Sequence, residues 1–242
     1  MEIRLDGKVA VVTGASRGIG YSAALALARA GFHIIALART VGGLEELDDA
    51  VKREGGSATL VPADLTDFEA LDRLGAVVAS RWRRLDAFIG NAGLLGPIAP
   101  LAHIEPKEWD RVLAVNLTAN WRLLRALDPS LRAAPAGRVV LVSSGAAVSC
   151  TAYWGPYSVS KAALEAMART YAAETMTTQV KVMIVNPGPL RTAMRAQAMP
   201  GEDPSTLRTP DDLAPWFVKL ASPDWTETGK VLDFPRGTVM SR

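Results

Sequence analysis

Short apolar runs alternate along the chain with longer segments in which apolar residues recur at helical spacing. The short runs predict about seven strands, at residues 8–13, 33–38, 58–62, 86–90, 138–143, 180–185 and 231–234. The longer segments predict helices at residues 18–30, 44–54, 67–83, 105–127 and 157–178. Strands that are apolar throughout and alternate with helices indicate a parallel sheet with helices on both faces. The chain is therefore expected to be an α/β protein with a doubly wound sheet in a three-layer α/β/α arrangement.

One segment, residues 187–210, breaks this alternation. It carries five prolines and two glycines, and an irregular stretch of this length inside a compact domain is usually functional or mobile. Met194 and Met199 in this segment either line an adaptable apolar pocket or pack a short lid helix against the core. No linker or repeat divides the rest of the chain, so a single domain over residues 1–242 is expected.

Composition and charge narrow the function classes. The 242 residues include 27 Lys plus Arg and 25 Asp plus Glu, a formal net charge of +2, which is too small to favour a nucleic acid as the main partner. The basic stretch at 81–84 lies at a predicted helix end, where cations are favoured. The one cysteine, Cys150, cannot form an internal disulfide and is expected to be a small buried residue. With only two histidines, far apart, no metal site is expected.

No segment of the sequence is typical of export or membrane insertion. The start, Met-Glu-Ile-Arg-Leu-Asp, lacks the long apolar region of a signal peptide. The richest apolar stretch, residues 23–38, is interrupted by Arg29 and Gly31 and falls short of the ~20 apolar residues that a membrane span needs. A cytoplasmic protein without a membrane partner is therefore expected.

A glycine-rich segment, Thr-Gly-Ala-Ser-Arg-Gly-Ile-Gly at residues 13–20, joins the first predicted strand to the first predicted helix. Glycines at such a junction allow a tight turn, and the helix N-terminus offers free N–H groups and a partial positive charge to a phosphate. A plain tight turn is the alternative, and the strand–loop–helix context favours dinucleotide binding over it.

The end of the second predicted strand bears on the choice of cofactor. NAD-binding folds usually carry Asp or Glu there for the ribose 2′-hydroxyl, whereas an Arg accommodates a 2′-phosphate. Here Ala38 and Arg39 occupy this position, no acid occurs in residues 7–44, and Arg17 flanks the same site. Because guanidinium groups suit phosphate, NADP(H) is expected over NAD(H). The alternative is that both arginines are solvated surface residues.

Tyr157 and Lys161 are four residues apart on the last long predicted helix, so their side chains share one face. A nearby ammonium is expected to lower the tyrosine pKa from ~10 towards neutrality, which suits proton exchange with a carbonyl or hydroxyl oxygen. Ser143 and Ser144 end the fifth strand, at the edge where doubly wound folds bind ligands. A hydroxyl there can stabilise charge on a substrate oxygen. A Tyr-x-x-x-Lys pair alone also occurs by chance on many helices.

Several motifs occur together and in order: Thr13-Gly-x-x-x-Gly-x-Gly20, Ala63-Asp64-Leu65, Asn91-Ala92-Gly93, Asn116, Ser144, Tyr157-x-x-x-Lys161 and Pro187-Gly188. This set resembles the short-chain dehydrogenase/reductase family over nearly the whole chain, and the chain is similar to a poorly characterised bacterial subgroup of that family. The resemblance implies a Rossmann-like domain in which Tyr157 is the general acid/base and Lys161 binds the nicotinamide ribose and lowers the tyrosine pKa. It also implies that Ser144 positions the substrate oxygen and that Asn116 holds a water linked to Lys161.

The same resemblance implies the cofactor contacts. They are Gly14, Ser16, Arg17, Gly18, Ile19 and Gly20 in the glycine-rich loop, Arg39, Asp64 and Leu65 at the adenosine end, Asn91 beside the ribose, Tyr157 and Lys161, and Pro187, Gly188 and Thr192 near the nicotinamide. The chain departs from the family pattern in two places. Gly90 stands where Asn is frequent, which is expected to loosen the strand support there. Residues 228–237 differ from the usual C-terminal ending, which leaves C-terminal packing and subunit contacts open.

These inferences converge on an NADP(H)-dependent oxidoreductase that transfers hydride between the nicotinamide and a small carbonyl or alcohol substrate. A non-catalytic NADP(H)-binding sensor or scaffold is the alternative from another class, and a dehydratase or epimerase on the same fold is a second one. The family's two long helices, here 105–127 and 157–178, usually build subunit interfaces, so a homodimer or homotetramer is expected.

Overall fold

A mixed sheet lies at the centre of the computed structural model, which describes residues 5–241. Its strands are β1 (Lys8–Thr13), β2 (Phe32–Ala38), β3 (Ser57–Pro62), β4 (Ala87–Gly90), β5 (Arg138–Val142), β6 (Lys181–Asn186), β7 (Lys230–Asp233) and β8 (Thr238–Met240). Their order is β3-β2-β1-β4-β5-β6-β7-β8, and all neighbours are parallel except β7 and β8. Because β2 and β4 lie on opposite sides of β1, a crevice opens at the carboxyl ends of β1 and β4, the usual ligand site of such sheets.

Helices cover both faces of this sheet. They are α1 (Gly18–Arg29), α2 (Val41–Arg53), α3 (Phe68–Trp82), α4 (Pro106–Leu113), α5 (Ala119–Ala133), α6 (Ala146–Ser149), α7 (Gly155–Glu174), α8 (Ala193–Ala198) and α9 (Pro210–Ala221). In β1, Ala10 and Val12 pack in one core cluster with α1, α2 and α9, while Val9 and Val11 pack in another with α3, α5 and α7. Successive strand residues point to opposite faces, so a strand buried on both faces is apolar throughout.

The predicted strands agree with the observed ones to within one residue at each end, and the doubly wound α/β class is confirmed. The sheet has eight strands rather than about seven, because residues 238–240 return antiparallel to β7. The long helix predicted over 105–127 is present, but it runs on to residue 133 and contains a π-helical turn at Ala114–Thr118 between α4 and α5. Segment 187–210 holds the short helix α8, and α9 after it was not predicted.

The sequence also led to expectations about membrane spans, metal sites and the burial of Cys150. Within residues 5–241, no helix combines the length and apolar character needed to cross a membrane. The same part of the chain places no three His, Cys, Asp or Glu side chains together so that they could hold a metal ion. The expectation that Cys150 is buried is wrong: it follows α6 with a φ of 45° and is exposed. Residues 1–4, which enter the signal-peptide prediction, lie outside the described residues.

Candidate active site

The glycine-rich loop between β1 and α1 leaves its backbone open to a ligand. Gly14 has a φ of 66°, and a Cβ there would lie 2.9 Å from the Asn91 side-chain nitrogen. A Cβ at Gly20 would collide with the Gly14 carbonyl oxygen, so α1 approaches the loop as closely as only glycine permits. Arg17 is the N-cap residue of α1, but its side chain does not cap the helix, and the first turn carries no acid. The N–H groups at this helix start are therefore available to a phosphate.

Thr13 and Asn91 join the carboxyl ends of β1 and β4 beneath the loop. The Thr13 hydroxyl accepts hydrogen bonds from the backbone N–H groups of Asn91 and Ala92, each at 3.0 Å. The Asn91 amide in turn donates to the Thr13 carbonyl at 3.0 Å. These bonds hold the two strand ends side by side, so Asn91 supports the crevice as well as lining it.

Two exposed arginines line the crevice: Arg17 at the start of α1 and Arg39 directly after β2. Arg39 lies 4.0 Å from the Asp64 carboxylate, and both side chains are about half exposed. Asp64 accepts hydrogen bonds at 2.8 Å from the Thr66 N–H and hydroxyl, and hydrogen bonding with Thr66 is the main cause that lowers the pKa of the Asp64 carboxyl. Both arginines are exposed, so an anionic group at the end of β2 can reach them.

Tyr157, Ser144 and Lys161 come together at the carboxyl end of β5. Tyr157 lies in the first turn of α7, and its phenol is close enough to Ser144, in the loop after β5, for Ser144 to lower the tyrosine pKa. Lys161, one turn further along α7, is buried, and its Nζ donates to the Val142 carbonyl at 2.7 Å. Nζ lies 5.8 Å from the centroid of the Tyr157 ring. A phenol, a hydroxyl and an ammonium thus lie together at the sheet edge.

Burial dominates the acid–base properties of these groups. It raises the pKa of Tyr157, and the hydrogen bond with Ser144 opposes that rise. It lowers the pKa of Lys161 to about 8, against the negative charge of Glu165, which raises it. The expectation that the ammonium lowers the tyrosine pKa is not met in this structure, because desolvation of the phenol outweighs the other effects.

Asn116 is fully buried in the π-helical turn between α4 and α5. Its Oδ1 accepts from the Leu94 N–H at 2.7 Å, and its Nδ2 donates to the Leu94 carbonyl and to the Ser160 hydroxyl, both at 2.9 Å. A Cβ at Gly93 would lie 3.4 Å from Asn116 Oδ1 and 3.5 Å from Lys161 Nζ. Asn116 therefore joins the loop after β4 to α7 next to Lys161, and π-bulges of this kind are frequent at functional sites.

Two buried side chains that sequence reasoning missed support these residues. Glu165 accepts a hydrogen bond from the Ser143 hydroxyl at 2.8 Å and so joins α7 to the end of β5. An acid one turn after Lys161 on a predicted helix was the available signal. Asn120 donates to the Asn116 carbonyl at 2.9 Å, and its Oδ1 fills the space beside Gly90. The loosening expected at Gly90 is absent because Asn120 occupies that space.

The loop after β6 and the C-terminal segment form the opposite wall of the crevice. Gly188 has a φ of 65°, and Pro235 packs where a Cβ would lie. Pro235 and Arg236 also line the crevice, which the sequence did not indicate. A Cβ at Gly18 would lie 3.6 Å from the Thr192 methyl group, so Thr192 faces the start of α1. The atypical C-terminus is thus part of the site.

All these parts surround a cleft of about 1090 Å³. The predicted site residues that line it are Gly14, Ser16, Arg17, Gly18, Ile19, Arg39, Asp64, Leu65, Asn91, Ser144, Tyr157, Lys161, Pro187, Gly188 and Thr192. Gly20 and Asn116 do not line it but are buried beside lining residues. An open glycine loop at a helix start, arginines at one end and the Tyr157 cluster at the other fit a nicotinamide dinucleotide together with a small substrate.

Comparison with known proteins agrees with this geometry. The sequence profile of the short chain dehydrogenase family matches residues 8–203. The chain is 36% identical over 237 residues to the uncharacterised oxidoreductase YciK of Escherichia coli K12, covering 96% of this chain and 94% of that protein. It is 35% identical over 248 residues to an uncharacterised NAD-dependent oxidoreductase of Mycobacterium tuberculosis CDC 1551, with 90% of each chain covered.

Among solved structures, a short chain dehydrogenase of Escherichia coli CFT073 in complex with NADPH is similar, with a TM-score of 0.90 and 36% identity. The similarity covers 96% of this chain and 98% of that one. The family profile matches most of the chain, and relatives above 30% identity match nearly its full length. Together these matches show the family. The chain belongs to the short-chain dehydrogenase/reductase family of NAD(P)-dependent oxidoreductases.

Proposed function

We propose that the chain is an NADP(H)-dependent oxidoreductase that transfers hydride between the nicotinamide and a carbonyl or alcohol carbon, with Tyr157 as general acid/base. The observation that carries this proposal is that Tyr157, Ser144 and buried Lys161 line the same cleft as the glycine-rich loop, with Lys161 Nζ 5.8 Å from the centroid of the Tyr157 ring. A phenol and a hydroxyl next to an ammonium are the groups that proton exchange at a carbonyl oxygen requires.

The preference for NADP(H) rests on charge at the adenosine end. Arg17 and Arg39 line the cleft there, and the end of β2 carries no acid. The Escherichia coli CFT073 relative is in complex with NADPH, whereas the Mycobacterium tuberculosis relative is named NAD-dependent. When bound, the cofactor supplies or accepts a hydride at C4 of its nicotinamide.

Each part of the cofactor has a counterpart among the cleft residues. The pyrophosphate is assigned to residues 14–20, the 2′-phosphate to Arg17 and Arg39, the adenosine to Asp64, Leu65 and Asn91, and the nicotinamide half to Tyr157, Lys161, Pro187, Gly188 and Thr192. Pro235, which packs against Gly188, supports the nicotinamide end of this site.

The chain's own groups divide the proton chemistry. In the reducing direction, Tyr157 donates its proton to the carbonyl oxygen as negative charge develops there, and Ser144 hydrogen-bonds the same oxygen. Lys161, with its Nζ 5.8 Å from the centroid of the Tyr157 ring, supplies the positive charge on that side of the site. Asn116 keeps the loop after β4 beside Lys161 through its two bonds with Leu94.

Tyr157→Phe tests the catalytic role, because it removes the proton donor and keeps the ring. We expect kcat/KM for NADPH-dependent carbonyl reduction to fall by about 10²- to 10⁴-fold, measured from nicotinamide absorbance. NADPH binding, followed by fluorescence, should stay near wild type. Tyr153→Phe is the matched control, since Tyr153 is 57% exposed and carries no assigned role.

Two outcomes would contradict this assignment. Equal turnover by Tyr157→Phe and wild type would show that another group moves the proton. If the wild-type chain binds NADPH normally but turns over no carbonyl or alcohol, the sensor or scaffold alternative is favoured instead.

Arg39→Asp tests the cofactor preference, because it replaces the cation assigned to the 2′-phosphate with an acid. We expect NADPH affinity to fall by roughly tenfold or more, the effect of losing one charge-assisted hydrogen bond, and NADH affinity to fall less. Nicotinamide fluorescence titration measures both. Arg53→Asp makes the same charge change at an exposed site on α2 and should alter neither affinity. Equal losses for NADPH and NADH would defeat the 2′-phosphate assignment.

The proposal also includes a single domain over residues 1–242 and assembly into a homodimer or homotetramer. The assembly is supported by exposed apolar side chains on the helices that the family resemblance implicates in subunit contacts. Trp121 on α5 is 47% exposed and Val159 on α7 is 42% exposed. A partner subunit that packs on these helices would cover both side chains.

A further inference from the structure

The part of the cleft next to Tyr157 is enclosed by apolar side chains, here called the apolar wall: Leu95, Ala146, Trp154, Met194 and Ala198. These side chains come from the loop after β4, from α6, from the start of α7 and from α8. The Trp154 ring meets the Tyr157 ring edge-on, with a centroid distance of 5.9 Å. A substrate whose oxygen reaches the Tyr157 hydroxyl must therefore place its body against this wall.

Exposed apolar surface continues the wall towards the mouth of the cleft. Val148 and Met199 line the cleft although they are 62% and 40% exposed. Large apolar side chains that face an open cleft favour a ligand that covers them with apolar groups. The polar cleft residues on the same segments, Ser149, Thr151 and Gln197, are all neutral.

Two arginines lie on this side of the cleft. Arg195 on α8 donates two hydrogen bonds to the Glu202 carboxylate, at 2.5 and 2.6 Å, so its charge is already paired. Arg191, before α8, is exposed to solvent.

The other charged residues of the cleft, apart from Lys161, lie at the adenosine end or after β7, where Arg236 is 3.4 Å from Asp233. A charged substrate body would lose its hydration against the apolar wall, whose side chains offer it no counter-ion. We propose that the substrate is an uncharged carbonyl compound with a bulky apolar body that packs against Trp154 and Met194. This inference rests on the proposed function and deepens it by naming the substrate class.

Two aldehydes of similar size and opposite polarity test this inference with the purified chain and NADPH. They are 4-isopropylbenzaldehyde, which is neutral, and 4-carboxybenzaldehyde, an anion at neutral pH. We expect kcat/KM to be higher by roughly tenfold or more for the neutral aldehyde, although its substituent makes the carbonyl less reactive.

Met194→Lys is the matching variant, because it places a cation in the apolar wall. It should move the ratio of the two kcat/KM values towards the carboxylate by roughly fivefold or more. Met176→Lys makes the same change at a methionine that is 65% exposed and lies outside the cleft, and it should leave the ratio unchanged. Bound NADPH fluorescence reports whether each variant remains folded.

Equal kcat/KM for the two aldehydes, or a preference for the carboxylate, overturns the proposal, and so does a ratio that Met194→Lys leaves unmoved. If neither aldehyde is reduced, calorimetric binding of the two corresponding alcohols to the NADP⁺ complex decides. Tighter binding of the neutral alcohol supports the proposal, and any other result overturns it. Failure of the proposed function is recognised separately. In that case Tyr157→Phe would reduce carbonyls as fast as wild type, whether the neutral or the anionic aldehyde is the better substrate.

Discussion

The charge state of Lys161 depends on burial and on a carboxylate one turn away on α7. Burial lowers the lysine pKa to about 8, and Glu165 raises it against that effect. The Glu165 side chain is 4% exposed and is held by the Ser143 hydroxyl at 2.8 Å and by Arg169 at 3.4 Å. Glu165 is therefore a positioning residue, which acts on the site through Lys161 and not by touching substrate or cofactor.

Glu165→Gln should move the pH dependence of reduction to lower pH. Without the carboxylate the Lys161 ammonium is less stabilised, so its pKa falls and the charge is lost earlier as pH rises. Wild-type kcat/KM should decline with a midpoint near the lysine pKa of about 8. In the variant, activity at that pH should be lower by roughly two- to tenfold, while activity at pH 6 changes less.

Pre-steady-state rates or kcat/KM measured from pH 6 to 10 give both midpoints. Glu174→Gln, an exposed acid on the same helix, is the control and should leave the midpoint unmoved. A midpoint that stays in place or rises in Glu165→Gln would show that the carboxylate acts only on packing.

Local spacing explains which of the site residues could be predicted. Tyr157 and Lys161 lie four apart on one helix, and that relation needs no knowledge of the rest of the fold. Glu165 shares the same spacing from Lys161, but its role depends on Ser143 of another element lying next to it. The direction of the Tyr157 pKa shift was not predictable for the same reason, since it is set by burial under residues distant in sequence.

Helix ends that are determined by neighbouring residues were predicted well. The helix predicted over 67–83 becomes α3, with Asp67 as N-cap accepting from the Ala70 N–H at 3.0 Å and Arg83 at its C-terminus with a φ of 64°. The π-helical turn between α4 and α5 was not predictable, because Asn116 in this turn is held by Leu94, 22 residues away. Capping is local, whereas a π-helical turn is stabilised by tertiary contacts.

The helix α9 contains two prolines, Pro210 and Pro215, although proline usually ends a helix. Pro210 lies in the first turn, where its missing N–H costs nothing. Thr209 and Asp212 form a capping box around it, with the Asp212 carboxylate 2.6 Å from the Thr209 backbone nitrogen. A Thr-Pro-x-Asp sequence is a helix-start signal, so the sequence did contain an indication of α9 that the prediction left unused.

At the scale of the whole molecule, apolar strand runs predicted the layers but not the partners of each strand. The strands β1, β2, β4, β5, β6 and β7 contribute buried apolar residues to both core clusters because helices cover both faces of the sheet, whereas the edge strand β3 is only partly buried. The pairing of β8 with β7 and the packing of Pro235 on Gly188 depend on how distant segments return to the sheet. The atypical C-terminal sequence therefore gave no indication that it completes a wall of the cleft.

Arg138 joins the start of β5 to the segment before β6 and to the end of α9. It begins β5 and is 4% exposed. Its guanidinium donates to the carbonyls of Gln179 before β6 at 3.1 Å, and of Ser222 and Pro223 after α9 at 3.1 and 2.8 Å. These carbonyls lie at a helix end and a strand entry, where backbone acceptors have no partner of their own, so one buried cation satisfies groups from several elements.

Arg138→Met should therefore destabilise the fold more than a single lost contact would. The methionine keeps the buried volume but leaves several carbonyls without donors, and we expect the free energy of unfolding to fall by roughly 2–4 kcal/mol. Urea denaturation followed by circular dichroism measures the change. Arg125→Met, at an exposed arginine on α5, should change stability by less than about 0.5 kcal/mol. A loss for Arg138→Met as small as that of the control would mean that water satisfies the carbonyls and that β5, β6 and α9 are held together by apolar packing alone.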